Sequence, residues 1–248
     1  MITVDFQCLN IPAGSRILDI GCGSGRHVAA AYALDRATVV GADANAKDLQ
    51  AARERLKFHD YLGEHGNGHW LLSAADITRL PFGNETFDLV ICSEVLEHIP
   101  DDHRAMTEIM RVLKPGHPLV VSVPRRWPES ICWWLSRAYR HMPGGHVRIY
   151  HAGQLVEKIE SLGASHWRTH FAHGLHSPYW WLKCLLGLEN TQSLPVQLYH
   201  RLLTWDIMQR PRLTRTLEQW LNPLVGKSVV LYFRKKALHP LSFSSIGR

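Results

Sequence analysis

The sequence has no uninterrupted apolar run of the ~18 residues that a membrane-spanning helix needs. Its first ten residues hold neither a basic cluster nor an apolar segment of the secretory kind. Cysteine is sparse: Cys8, Cys22, Cys92, Cys132 and Cys184 are odd in number, widely spaced and form no Cys-x-x-Cys. That argues against a disulfide framework or a structural zinc site and predicts a reducing, cytoplasmic setting. Internal repeats and low-complexity stretches are also missing. What remains is the profile of a soluble globular chain with a sizeable core, 46% apolar and 20% charged over 248 residues. The length predicts one domain with insertions.

Charge is divided unevenly. Residues 1–124 hold 11 Lys and Arg against 16 Asp and Glu, whereas residues 125–248 hold 17 against 6. Eight of the nine tryptophans, all but Trp70, fall in the basic half. The two halves are therefore expected to do different jobs.

The first half alternates short β-branched runs with amphipathic helices. Strands are expected at 16–21, 38–43, 70–76, 87–94 and 119–123, and helices at 26–34, 46–59 and 101–113. In the last of these Met106, Ile109, Met110 and Leu113 recur at helical spacing. The second half is less regular. It predicts a helix at 154–162, a sixth strand at 165–173 and a seventh at 227–234, with a flexible tail from 237. Two segments rich in Trp, Arg, His and Pro, 125–150 and 174–226, interrupt it. The expected fold is α/β: a Rossmann-like doubly wound sheet, mostly parallel with seven strands, plus inserted helical lid segments.

Asp19-Ile-Gly21-Cys22-Gly23-Ser-Gly25 lies between the first strand and the first helix. Glycines there let the backbone turn sharply and approach a ligand closely. A dinucleotide-binding GxGxxG would place a small residue at 26, where this chain has Arg26. Acids then close three more strands. Asp43 can accept bonds from ribose hydroxyls or cap a helix. Asp76 can accept from an adenine amine or make a turn. Glu94-Val-Leu-Glu97-His98 follows the fourth strand. Ligands of open α/β sheets bind at the carboxyl ends of the strands, and four separate caps at four successive ends would be a coincidence.

The ordered series ILDIGCGSG, VVGAD, AADITRLPF, FDLVICSEVLEHIPD and RVLKPGHPLVVSVP resembles the class I S-adenosylmethionine (SAM)-dependent methyltransferases, nearest to the "type 11" small-molecule group with the quinone-biosynthesis enzymes. The resemblance covers residues 14–124. It implies SAM as cofactor, bound by Asp19, Gly21, Cys22, Gly23, Gly25, Asp43, Ala44, Asp76, Ile77, Glu94 and His98, and no metal. His117 stands where the family often has a second glycine. Enzymes that methylate exocyclic amines of nucleic-acid bases carry [Asn/Asp]-Pro-Pro-aromatic after strand four; this chain has Ser93-Glu94-Val95-Leu96 there. An O, C or S atom of a hydrophobic or amphiphilic small molecule is therefore the expected acceptor, and nucleic acid is disfavoured. An NAD-dependent oxidoreductase and a non-catalytic SAM- or nucleic-acid-binding module are the alternatives.

Three residues are candidates for the acceptor-side base: His98, His146 and Tyr150, with His146 preferred and His98 assigned to orient SAM. The helix expected from Pro128 is read with Ile131, Trp134, Leu135 and Ala138 inward and Trp133, Arg137 and Arg140 outward. That is either a lid touching an anionic membrane at its inner face or a packed helix with a solvated side. His166, His170, His173 and His176 are expected to be split by a strand rather than gathered for a metal.

Overall fold

The computed structural model describes residues 2–142, 144–190, 192–209 and 211–237. Seven strands form one sheet in the order β3-β2-β1-β4-β5-β7-β6. They are β1 Arg16–Ile20, β2 Thr38–Asp43, β3 His69–Ala74, β4 Leu89–Ser93, β5 Pro118–Pro124, β6 Ala164–Ala172 and β7 Ser228–Lys235. The first five pair in parallel; β7 enters antiparallel between β5 and β6. The helices are α1 Arg26–Tyr32, α2 Ala46–Leu62, α3 Asp102–Val112, α4 Arg126–Leu135, α5 Arg137–Arg140, α6 Ala152–Ser161, α7 His176–Leu186, α8 Leu194–Gln209 and α9 Arg212–Val225.

The central strands are continuous apolar runs because helices cover both faces. On one side Leu18, Val90, Val121 and Leu231 pack with Met106, Ile109, Leu155 and Ile159. On the other, Ile17, Val39, Ile91 and Val230 pack with Val28, Tyr32 and Leu56. Helix starts follow local chemistry: the Asn45 side chain accepts from Lys47 N and the Asp101 side chain from Arg104 N.

All seven strands lie where expected, with shifted ends. β4 starts two residues late because Asp88 is recruited as a brace, its side chain accepting from Arg16 N and Lys114 Nζ. α2 runs on to Leu62, where Gly63 closes it at φ 67°. The expected lid helix breaks at Ser136, whose hydroxyl caps α5 by accepting from Tyr139 N. Its inward face also differs. Pro128, Glu129 and Cys132 are buried, whereas Ala138 is exposed and Trp134 is 84% exposed. Two bonds set that orientation: Trp181 Nε1 to Pro128 O, 3.0 Å, and Glu129 to His146, 2.7 Å. Most of the tail expected to be flexible, 238–248, lies outside the described residues.

The second half is built as two excursions from one end of the sheet. Ser228 at the start of β7 pairs with both Pro124, ending β5, and Ala172, ending β6. α4 and α5 leave from the first point, and α7 to α9 from the second.

Candidate functional site

The strand order places β3, β2, β1 and β4 side by side, so the loops after them leave from one end. Gly21, Gly23 and Gly25 have φ of 65°, 50° and 76°, which glycine adopts at little cost. A side chain at Gly21 would strike Val95 after β4, and one at Gly25 would strike Ala52 of α2; at Gly23 it would meet nothing within 4 Å. The outer glycines therefore let neighbouring elements close in, and the middle one faces open space. Gly23 N donates to Asp43 Oδ2 and Asn45 N to Asp43 Oδ1, each at 2.8 Å. Each oxygen keeps lone-pair capacity for a further donor. Cys22 is buried behind the loop, its thiol pushed up by burial, and Ala44 is exposed in the turn. Asp19 is 1% exposed, and its Oδ2 has no hydrogen-bond partner. Burial, then the Asp43 charge, pushes its carboxyl up to about 8. A cationic or donor-bearing ligand would relieve both. Asp76 makes the turn that was its alternative reading, accepting from Thr78 N and Oγ1. Ile77 is core, packed with Leu80 and Met106.

Beyond β4 the site changes character. Glu94 holds φ 58°, a strained value for a residue with a side chain. It accepts from Ser122 Oγ, and burial raises its carboxyl despite the opposing Lys227, Ser122 and Ser228. Glu97 is 1% exposed, with both carboxylate oxygens lacking a partner. Burial, then Glu94, holds it well above the usual range. The segment 144–150 is tied onto this turn: Val147 N donates to Glu97 O, and Arg148 Nη2 to Pro100 O. His98 and His146 thereby meet edge to face, ring centroids 4.9 Å apart. Burial, then the neighbouring His146, lowers His98.

Two of the three base candidates, His98 and His146, are thus side by side. Tyr150 does not join them. Its hydroxyl donates to Asp102 Oδ2 at 2.6 Å, a carboxylate also bound by Arg148 and Lys158. Burial raises the phenol, so it is a buried brace for the segment rather than a base. The histidine series also departs from expectation. β6 ends at Ala172, leaving His173 to turn beside His176, rings 5.8 Å apart, with Glu218 of α9 close to both. His166 and His170 instead pack on Phe233 and Tyr232. A cavity of about 1070 Å³ opens there, lined by Thr3, Arg26, His173 and Glu218; none of the strand-end glycines borders it.

Two contributors went unassigned in the sequence. Glu97 lies inside the quoted motif, where only its neighbours were given roles. Glu129 is the sole acid between 125 and 151, which is itself a signal, since a lone carboxylate in a basic stretch usually has a fixed partner.

Residues 18–121 match a family described as a methyltransferase domain. A ubiquinone biosynthesis O-methyltransferase of Thiobacillus denitrificans is 39% identical over 118 residues, 48% of either chain. Among solved structures, the [4+2]-cyclase SpnF aligns over 93% of this chain and 78% of its own, with 19% identity and a TM-score of 0.60. An arsenic(III) SAM methyltransferase of Chlamydomonas reinhardtii aligns over 92% and 66%, with 19% identity and a TM-score of 0.52. The chain spans less than half the length of the curated relatives it matches first. At these identities the structures establish the fold alone, and the cyclase is a reminder that one fold serves several chemistries. The dinucleotide alternative finds no support among these relatives. Residues 18–121 are thus similar to a methyltransferase domain, within a chain that folds as a seven-stranded Rossmann-like sheet.

Proposed function

We propose that this chain transfers a methyl group from SAM to an oxygen of a hydrophobic or amphiphilic small molecule. The observation that carries the acceptor side is the His146–Glu129 bond, 2.7 Å, placed beside His98 and the strand-end loops. Asp19, Gly21, Cys22, Gly23 and Gly25 border the methionyl part of the cofactor, Asp43 and Ala44 its ribose, and Asp76 with the Ile77 backbone its adenine. When bound, SAM supplies an electrophilic methyl on a sulfonium sulfur. Glu94 and His98 line that end, and the excursions 125–150 and 174–226 cover the acceptor and exclude water. Glu129 accepts the Nδ1 proton of His146, leaving Nε2 as the ring atom with a lone pair; in the simplest form of the reaction that lone pair takes the acceptor's proton. Calorimetry tests the reading: SAM binds and NADH does not. Binding of NADH in place of SAM overturns it.

Peripheral contact with an anionic membrane belongs to the same proposal, but on a different surface from the one first expected. Trp133 is half-buried under Arg140, whose guanidinium lies 5.2 Å from the ring. No helix among the described residues is long and apolar enough to cross a membrane. α9, however, exposes Leu213, Leu217, Trp220 and Leu224 at 78%, 47%, 75% and 66%. These fall at i, i+4, i+7 and i+11, one face of the helix, in the half of the chain that carries the positive charge. Such a face inserts at an interface. We expect sedimentation with phosphatidylglycerol vesicles at low salt, reduced at least fivefold by Leu217→Ser with Trp220→Ser. Equal sedimentation of this variant removes the membrane reading.

A further inference from the structure

Away from the strand-end glycines, the turn after β6 gathers three groups with metal-binding chemistry. One ring nitrogen each of His173 and His176 and a carboxylate oxygen of Glu218 all lie within 4.8 Å of one another. Ligands about 2.1 Å from a shared ion in a tetrahedral array stand roughly 3.4 Å apart, which a small closure of three side chains reaches. The backbone sets the arrangement. His176 N donates to His173 O at 3.0 Å and folds the two histidines into one turn. His173 holds φ 66° to make it, a value histidine adopts more readily than most residues. α9 is docked on the same turn: Gly174 N donates to Asn222 Oδ1 at 2.8 Å, and Glu218, four residues before Asn222, shares that face of the helix.

The two imidazoles are neutral and poorly partnered. Burial pushes His176 down to about 4 and holds His173 well below its ordinary value, so each keeps a lone pair at neutral pH, as a ligand must. His173 Nε2 lies 3.1 Å from Thr3 Oγ1. With the ring proton there, Nδ1 carries the lone pair and the ring is oriented from behind. His176 is 7% exposed, and its Nδ1 has no hydrogen-bond partner. Ser177, next in the chain, and Asp206 of α8, which faces His176, each bury a further unpartnered oxygen. Bare buried polar atoms are costly, and an ion with its bound water satisfies such a group. Arg26, Arg215 and Lys227 also face the histidines and oppose a cation; Glu218 and Asp206 offset two of the three. Directed ligand bonds rather than net charge must therefore select the ion. Arg215 reaches Glu218 Oε2 only at 3.4 Å, and burial raises that carboxyl against the Arg215 charge.

We infer that His173, His176 and Glu218 bind a first-row divalent cation, Zn²⁺ foremost, which staples α9 to the turn after β6. Two imidazoles with one carboxylate suit such an ion, whereas Mg²⁺ and Ca²⁺ prefer all-oxygen sites. Water from the adjoining cavity, which His173, Asp206 and Glu218 line, completes the fourth position. The ion's role is structural: it joins the beginning of the excursion 174–226 to the helix that ends it. The site takes no part in methyl transfer and does not depend on that reading.

The full chain, stripped with chelator, is titrated with Zn²⁺ by calorimetry and with Co²⁺ by visible absorption. With 16 histidines in the chain, weak surface binding is expected, so the informative quantity is one tight equivalent. Wild type should bind it, develop d–d bands of mixed nitrogen and oxygen ligation, and melt roughly 5–10 °C higher at a hundredfold excess of Zn²⁺ over Kd. Glu218→Gln, and independently His176→Asn, should weaken that equivalent at least tenfold and remove the rise in melting temperature. His146→Asn, in the other histidine pair, should keep both. No tight equivalent in wild type overturns the inference without recourse to any variant. So does an equivalent that persists in Glu218→Gln and His176→Asn, or one that only His146→Asn removes.

Discussion

His146→Ala lowers turnover by ~10²-fold or more while SAM affinity stays at the wild-type value. The side chain is 15% exposed and is held by a carboxylate in a segment remote from the glycine loop, so its loss should not disturb the cofactor. The effect is expected because Nε2 takes the acceptor's proton in the proposed reaction. Glu129→Gln separates position from charge. Its amide oxygen can still accept from Nδ1, so the ring stays in place, but the carboxylate's support for a positive imidazole is lost; a fall of about tenfold is expected. His98→Ala should change SAM affinity as well as turnover. Single-turnover rates and calorimetry on the three variants provide the comparison, and normal turnover in His146→Ala would exclude it from the chemistry.

Asp43→Ala weakens SAM binding by roughly 1.5–3 kcal/mol, about 10- to 150-fold in Kd. On the proposed reading, a side chain that accepts two ribose hydroxyl bonds is lost from a half-buried position. The same carboxylate also receives Gly23 N and Asn45 N, so part of the loss comes from a loosened loop. Asp43→Asn tells the two apart. It keeps one acceptor oxygen at about the same place and should recover part of the affinity. If both variants bind SAM as wild type does but melt lower, Asp43 is a loop brace and nothing more.

The sheet was legible because its central strands are buried on both faces and show as short apolar runs, residues 89–92 and 119–121 above all. The grouping of the strand-end loops was legible for a related reason: their residues are local in sequence, each at a strand's end, and the alternation of strands and helices fixes which ends are neighbours. The cluster of His98, His146 and Glu129 is assembled from distant segments. Glu129 reaches His146 across 17 positions, and no periodicity announces such a pairing. The break in the lid at Ser136 escaped detection because the hydrophobic spacing continues through it, while the hydroxyl cap that ends it is a single polar contact. Tyr150 looked like a base because it shares a short motif with His146. Only the position of Asp102, at the start of α3, shows where the phenol is spent.

The double pairing of Ser228 bears on how such a chain can change over generations. The two ends of residues 173–227 are adjacent rungs of a hydrogen-bonded ladder, so the excursion is a loop whose mouth is already shut. Lengthening a flexible loop twofold costs only about 0.6 kcal/mol in closure entropy, a small sum against the ladder that closes it. Insertions, deletions or wholesale replacement between these rungs can therefore accumulate without disturbing the sheet or the cofactor loops on its other half. The helices beyond that mouth can therefore vary from one descendant to the next, provided that the Trp181 bond to Pro128 O that orients α4, and with it Glu129, is kept or replaced.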